Sequence, residues 1–106
     1  MVKLDPSDGY ATLINTFEVE PDEVVALTRI LEDATETMRR MPGFISANLH
    51  VSRDRTRVVN YAQWVSGDDM QAMLRHPDAQ PHLKAAADVA KSFEPVLYTL
   101  EFSSGA

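Results

Sequence analysis

The sequence predicts an α+β fold, a ferredoxin-like split βαβ sandwich in which helices cover one face of an antiparallel sheet. Four segments alternate their apolar side chains with a period of two, and the segments between them repeat apolar residues every three or four positions, in the order β-α-β-β-α-β. A chain of 106 residues, 44% of them hydrophobic, suits one such domain. We expect the domain to span residues 10–102, between a flexible tail of residues 1–9 and a short tail of residues 103–106.

The first strand is predicted over residues 10–19, after a turn-rich opening that contains Pro6 and Gly9. Alternate residues of a strand share a face, and one face of this strand is apolar with a single exception. That exception is an asparagine, which is costly to bury unless a polar group meets it. The face comprises Ala11, Leu13, Asn15, Phe17 and Val19.

The first helix begins near Pro21, a residue favoured in a first helical turn, and ends at Pro42-Gly43. Acidic residues follow Pro21 directly and favour the positive end of the helix dipole. Its apolar residues recur at helical spacing, so one stripe of the helix should cover the sheet. The stripe comprises Val24, Leu27, Leu31, Ala34, Met38 and Met41.

Residues 44–52 are predicted to form the second strand of the sheet. This strand makes a hairpin with the third strand, which contains Val58 to Trp64. Simple alternation groups Phe44, Ser46, Asn48 and His50 on one face of the second strand and Ile45, Ala47, Leu49 and Val51 on the other. One face of the third strand comprises Val58, Asn60, Ala62 and Trp64. A second apolar strand face therefore also carries one asparagine.

Ser66 is the predicted cap of a short helix that runs through Leu74 and stops at His76-Pro77. A further helix is expected over residues 78–92. The last strand is expected over residues 96–102, with Val96, Tyr98, Leu100 and Phe102 on one face.

The sheet face away from the helices is expected to be apolar, because Ala47 and Leu49 would lie there beside Val59 and Tyr61. An apolar patch of that size predicts a partner surface, most simply a second copy related by a twofold axis. We therefore expect a homodimer that forms an α+β barrel. The alternation leaves open whether His50 lines a cavity or the dimer interface.

Composition limits the possible partners. A net charge of −6 disfavours nucleic acids and anionic membrane surfaces. The chain has no cysteine, no apparent signal segment and no apolar run of about 20 residues, which fits a cytoplasmic protein. Its three histidines are scattered and its four glycines form no phosphate-binding loop, so we expect neither a metal site nor a nucleotide site.

Two asparagines on the apolar faces of two strands, one of which also carries Trp64, predict a cavity with a few convergent polar groups. Such cavities are the usual form of a small-molecule site. The alternative is that each asparagine bonds to neighbouring backbone and that the tryptophan only fills the core.

The residues from Pro42 to Phe44 and from Val58 to Trp64, together with Asn15, resemble the antibiotic biosynthesis monooxygenases. The resemblance covers about residues 10–102. It is most specific in the Asn-Tyr-Ala-Gln-Trp string, which is similar to that of the quinone-forming oxygenases that oxidise aromatic polyketide anthrones with O2 and without a cofactor. These are dimeric ferredoxin-like proteins of antibiotic pathways.

The resemblance implies that Asn15, Asn60 and Trp64 are the catalytic residues. An anthrone has an acidic methylene, so two amide N–H donors could stabilise its enolate and the indole N–H could bond to a peroxide intermediate. The expected substrate-binding residues are Leu13, Phe17, His50, Met70, Met73 and Leu83.

One departure is Met70, which stands where some members of the family carry a tyrosine. Two alternatives stay open. One is a non-catalytic dimer of the same fold that binds a small molecule. The other is a haem-degrading monooxygenase of the same fold. In this chain, however, the tryptophan that those enzymes carry on the helix after the third strand is replaced near Met73, and the position of their iron-binding histidine is occupied by Leu83, next to His82.

Overall fold

The computed structural model describes residues 2–105, so Met1 and Ala106 of the predicted tails lie outside the described residues. The α+β prediction is confirmed: four strands and three helices follow one another in the order β-α-β-β-α-α-β. No helix within residues 2–105 is both long and apolar enough to cross a bilayer. The elements are β1 (Ala11–Glu18), α1 (Val24–Met38), β2 (Phe44–Val51), β3 (Arg57–Trp64), α2 (Gly67–Arg75), α3 (Gln80–Val89) and β4 (Ser92–Thr99).

The sheet has the strand order β2-β3-β1-β4, and all three pairings are antiparallel. Residues that pair directly share a face, so the register of the strands decides which side chains meet. Asn15 pairs with Asn60, Leu13 with Ala62 and Phe17 with Val58. We call the face with these residues the inner face, because their buried side chains pack under the helices, and the opposite face the outer face.

Helix α1 covers the inner face with the predicted stripe. Val24, Leu27, Leu31 and Ala34 are buried, and a tight turn of Pro21–Glu23 leads into the helix. The first three of these residues pack with Phe17, Val58 and Ala86 into one apolar cluster. A second cluster joins Trp64 and Leu13 to the methionines of α2. Burial of this kind contributes about 25 cal/mol per Å² of apolar surface, which makes these clusters the main stabilising element of the fold.

Strand β2 contains an irregularity that simple alternation does not reveal. Its register shifts between Phe44 and Ser46, so Ala47 pairs with Ala62 and Leu49 with Asn60. The extra residue places Phe44, Ala47 and Leu49 together on the inner face, where they pack against the core clusters. The expectation that Ala47 and Leu49 lie on the outer face, and that Phe44 shares a face with Ser46, was therefore wrong.

The outer face is more polar than predicted. Ser46, Asn48 and His50 of β2 lie there opposite Gln63, Tyr61 and Val59 of β3. An apolar strip remains at the centre of this face, because Ile14 pairs with both Tyr61 and Val96.

The last helix and the last strand both end earlier than the sequence indicated, and the strand also begins earlier. Helix α3 ends at Val89 and β4 begins at Ser92, so Leu100 and Phe102 lie beyond the strand. Phe93 pairs with Phe17 and Leu97 with Leu13, which places both on the inner side. Pro95 was expected to precede the last strand, because proline has no backbone N–H to donate, but it lies within β4. Strand β4 is at the edge of the sheet, and a proline there removes no ladder hydrogen bond on the side that has no neighbouring strand.

Part of the segment predicted to be a flexible tail packs on the sheet. Gln63 Nε2 donates to the Lys3 carbonyl at 3.1 Å, and Gln63 is only 2% exposed. Asp5 caps a short turn of Pro6–Asp8 by accepting from the Ser7 N–H. Residues 2–4 thus lie against the outer face near β3.

Candidate functional site

A cavity of about 390 Å³ lies between the inner face of the sheet and the three helices. Its walls are apolar apart from two strand asparagines and a few polar side chains at the helices, which is the usual composition of a small-molecule site. Seven of the nine residues predicted for the site line it: Leu13, Asn15, Phe17, Asn60, Met70, Met73 and Leu83.

Asn15 and Asn60 form a direct cross-strand pair in the floor of the cavity. The Oδ1 atom of each side chain is buried and has no hydrogen-bond partner in the described chain. Leaving a buried acceptor unpaired costs about 1–3 kcal/mol, so such atoms in a native protein call for an explanation. Because a side-chain amide has an acceptor on one arm and two N–H donors on the other, a ligand in the cavity can meet either arm after rotation of the amide.

A third asparagine of the sheet behaves differently. Asn48, on the outer face, donates from Nδ2 to the Tyr61 carbonyl at 3.1 Å. This is the backbone-bonded, structural kind of asparagine that the sequence left open as an alternative for the other two. Asn15 and Asn60 differ in that each leaves a buried Oδ1 atom without a partner.

Trp64 lies next to the cavity but is not part of its lining. The indole is 1% exposed and meets the Phe44 ring edge-on, with 5.4 Å between ring centroids and 88° between planes. It packs in the same cluster as Met70 and Met73, which do line the cavity. Trp64 therefore supports the cavity wall from behind.

His50 lies outside the cavity, contrary to the expectation that it binds substrate. The shifted register of β2 places it on the outer face, exposed and opposite Val59. There it borders a shallow groove with Val2 and Leu4 of the N-terminal segment.

The sequence missed the aromatic and apolar residues of β4 that complete the cavity. Phe93 and Leu97 line it, although they are 52% and 46% exposed, so they stand at its open side. Phe93 packs against Phe17 with 6.4 Å between ring centroids. The predicted strand began at residue 96, so only the pairing of β4 with β1 could identify these residues.

His82 of α3 is the second feature of the cavity that the sequence did not place in the site. It lines the cavity, and its Nε2 lies 3.1 Å from the Thr37 hydroxyl of α1. No carboxylate, lysine or arginine of the described residues lines the cavity, so His82 is its one titratable side chain there. Within residues 2–105, no group of three histidine, aspartate or glutamate side chains could hold a metal ion.

Comparison with known proteins gives consistent matches. Residues 11–88 match the family described as antibiotic biosynthesis monooxygenase. The chain is 41% identical over 107 residues to the tetracenomycin-F1 monooxygenase of Streptomyces glaucescens, with 100% of this chain and 95% of the relative covered.

Two solved structures are similar over most of their length. SnoaB, a cofactor-independent oxygenase from Streptomyces nogalater, superposes with a TM-score of 0.83 at 25% identity, covering 90% of this chain and 96% of SnoaB. The ActVA-Orf6 monooxygenase of Streptomyces coelicolor, in complex with the ligand nanaomycin D, gives a TM-score of 0.83 at 28% identity, with 96% of each chain covered.

Proposed function

The chain belongs to the antibiotic biosynthesis monooxygenase family, and we propose that it oxidises an aromatic polyketide of the anthrone type to a quinone with dioxygen and without a cofactor. The chain is a monooxygenase. The relative from S. glaucescens is named for a tetracenomycin and ActVA-Orf6 is in complex with nanaomycin D, which supports a substrate of this chemical class.

The observation that carries the proposal is the pair of cavity asparagines with unpaired Oδ1 atoms. A fold gains nothing from two unpaired amide acceptors on adjacent strands, since apolar residues of similar size would avoid the cost of about 1–3 kcal/mol each. A ligand hydroxyl that donates a hydrogen bond to these Oδ1 atoms removes that cost. The residues around the pair are apolar, so the rest of the ligand should be a flat hydrocarbon framework.

The asparagines act on the charge that develops during the reaction. When an anthrone loses a proton from its methylene, its carbonyl oxygen becomes an aromatic enolate oxygen. Nδ2–H groups of Asn15 and Asn60 directed at that oxygen stabilise it, as donors do in an oxyanion hole. The dry walls strengthen these hydrogen bonds, because electrostatic interactions increase in an environment of low dielectric constant.

The electron-rich enolate is itself the reductant of dioxygen. It transfers one electron to O2, and the substrate radical and superoxide combine into a peroxide at the former methylene carbon. After protonation, loss of the second hydrogen from that carbon and cleavage of the O–O bond give the quinone carbonyl and one water. One O2 is consumed for each quinone, and no external reductant is required.

The other predicted residues hold the substrate. Phe17, Met70 and Met73 supply aromatic and thioether surface against a flat ring system, with Leu13 and Leu83 completing the walls. Trp64 packs behind this wall, and we propose that its indole N–H donates to the peroxide when Met70 and Met73 shift around the bound substrate.

The proposal includes the homodimer. The apolar strip on the outer face, with Ile14, Tyr61 and Val96, would be covered by the same strip of a second copy. We propose that residues 10–102 form the catalytic domain of each protomer.

Oxygen consumption tests the proposed activity. Purified protein is mixed with dithranol, an anthrone, in an oxygen electrode, while quinone absorbance is recorded. We expect O2 uptake and quinone formation in equal amounts, well above the rate with heat-denatured protein and without added reductant. Tight binding of several anthrones with O2 uptake at background would instead support a non-catalytic binding protein.

A haem-degrading activity makes a different prediction. His82 lies in the cavity wall, but no lysine or arginine of the described residues lines the cavity to pair with the two haem propionates. We therefore expect no stoichiometric haemin complex. A one-to-one complex that degrades on addition of reductant would contradict the anthrone proposal.

A further inference from the structure

We propose that His82 is the proton acceptor and donor of the reaction, an assignment that rests on the proposed function. Breaking the substrate C–H bond requires a group to receive the proton, and amides do not serve as bases near neutral pH. Histidine is the side chain best suited to take and return a proton there. His82 is the one titratable side chain among the described residues that line the cavity.

The position of the ring is set by two helices. His82 is on α3, and Thr37 on α1 lies with its hydroxyl 3.1 Å from Nε2. A threonine hydroxyl both donates and accepts, so it can bond to Nε2 in either tautomer. When Nε2–H donates to Thr37, the lone pair is on Nδ1, and this nitrogen can take a proton without loss of the tether. Thr37 is therefore a positioning residue for His82.

Each proton has a defined path. The methylene C–H bond breaks, its electron pair stays on the substrate as the enolate, and the proton forms an N–H bond on the ring nitrogen of His82 that Thr37 does not hold. After dioxygen has added as the peroxide anion, the imidazolium returns this proton to the outer oxygen. His82 then takes the second hydrogen of that carbon as a proton, while the C–H electron pair forms the carbonyl and the O–O bond breaks. The departing hydroxide receives the proton and leaves as water.

Replacement of His82 by glutamine separates the proton transfer from the structural role. Glutamine can fill the space and bond to Thr37, but it cannot accept a proton. We expect His82→Gln to keep its melting temperature and lose about 100-fold or more in turnover, within the range for general acid–base groups. His82→Ala should lose as much and regain part of its rate with added imidazole, and more basic imidazoles should restore more.

Thr37 provides a test of the tether. Thr37→Ser keeps the hydroxyl and should retain most of the turnover, whereas Thr37→Val keeps the shape and should lower it. His76→Asn is the matched histidine control. His76 is not among the residues that line the cavity, and an asparagine Oδ1 can still accept from the Asp78 N–H, as His76 Nδ1 does at 3.0 Å.

The outcomes distinguish this inference from the proposed function. If the unmodified protein oxidises no anthrone, the proposed function fails and the assignment of His82 fails with it. If the unmodified protein is active and His82→Gln turns over normally, or if His82→Ala shows no response to imidazole, only the assignment of His82 is overturned. A methylene-deuterated anthrone adds an independent measurement, since impaired proton transfer should increase the ratio of the rates for the light and heavy substrates in His82→Gln.

Discussion

Asn15 and Asn60 face each other directly across the antiparallel pair β1 and β3, and the Oδ1 atoms of both are buried without a hydrogen-bond partner in the described chain. Neighbouring residues on the same strands, Leu13 and Ala62, are buried and apolar. The pair thus places two amides side by side in an apolar floor. This arrangement costs stability in the free protein and offers hydrogen bonds to a ligand. Replacement of either asparagine by an apolar residue should therefore weaken the interaction with the ligand without lowering the stability of the fold.

The first prediction concerns this pair. Asn15→Ala or Asn60→Ala removes one donor from a dry site, a change that lowers turnover by about 100- to 1,000-fold in oxyanion holes. The melting temperature should stay the same or rise, because the change also removes an unpaired buried acceptor. Steady-state oxygen uptake and calorimetry measure the two quantities.

Asn48→Ala is the matched control for the asparagine pair. It deletes a hydrogen bond to the Tyr61 carbonyl on the outer face, so it should lower the free energy of unfolding by about 0.5–1.5 kcal/mol and leave turnover per folded molecule unchanged. The catalytic assignment would be wrong if Asn60→Ala behaved like Asn48→Ala.

The second prediction concerns Trp64. Trp64→Phe deletes the indole N–H and keeps an aromatic ring against Phe44, so we expect a partial loss of turnover with a loss of stability of about 1 kcal/mol from the smaller side chain. Phe44→Leu removes the same aromatic pair but keeps the indole. Phe44→Leu should destabilise the protein without changing turnover per folded molecule. Equal turnover for Trp64→Phe and Phe44→Leu would exclude the indole N–H as a donor.

The third prediction concerns Gly43, which joins α1 to β2. Its φ of +83° is in the left-handed region, and a Cβ at this position would collide with the Asp69 side chain. Asp69 is held in place by its backbone N–H, which donates to the Ser66 hydroxyl, the cap of α2. Gly43→Ala should therefore combine backbone strain with a steric clash, and lower the free energy of unfolding by about 2 kcal/mol or more.

Gly9→Ala separates those two effects. Gly9 also has a positive φ, of +67°, but no atom lies within 4 Å of the added Cβ. This variant should show backbone strain alone, about 1–2 kcal/mol. Denaturant unfolding of both variants measures the difference, and equal losses would show that the contact with Asp69 relaxes at no cost.

The fourth prediction concerns the hairpin turn between β2 and β3. Hydrogen bonds from Thr56, and then from Ser52, lower the pKa of Asp54 from 3.8 to about 2. Because the folded protein has the lower pKa, the stabilisation by this carboxylate is fully present above about pH 4 and is lost as the pH falls through about 2. Thr56→Val should move the NMR titration of the Asp54 carboxyl back towards 3.8, and an unchanged midpoint would contradict the assigned cause.

The fifth prediction concerns assembly. The protein should sediment with about twice its monomer mass of 11.8 kDa, with the outer face at the interface. Val59→Asp puts a charge on that face and should shift the protein to monomers, since an unpaired buried charge is costly. Val25→Asp is the control, because Val25 is 60% exposed on α1. A monomer at micromolar concentration for the unmodified protein would contradict the proposed dimer.

Local patterns in the sequence were sufficient for the elements and for much of the site. The period of two or of three to four residues depends only on neighbours along the chain, so it located β1, α1, β3 and α2 closely. The same alternation placed Asn15 among the apolar residues of β1 and Asn60 among those of β3. The resemblance in Val58 to Trp64 then indicated the family.

Pairing between distant segments determined what alternation alone could not. One extra residue between Phe44 and Ser46 moves every later side chain of β2 to the opposite face, so Leu49 lies on the inner face and His50 on the outer face. The contact of Phe93 with the cavity depends on the register of β4 against β1, and that of His82 on the packing of α3 against α1. Local alternation was therefore enough to place the two asparagines on apolar strand faces. Register and helix packing, which are set by contacts between residues far apart in the chain, brought them together with Phe93 and His82 around one cavity.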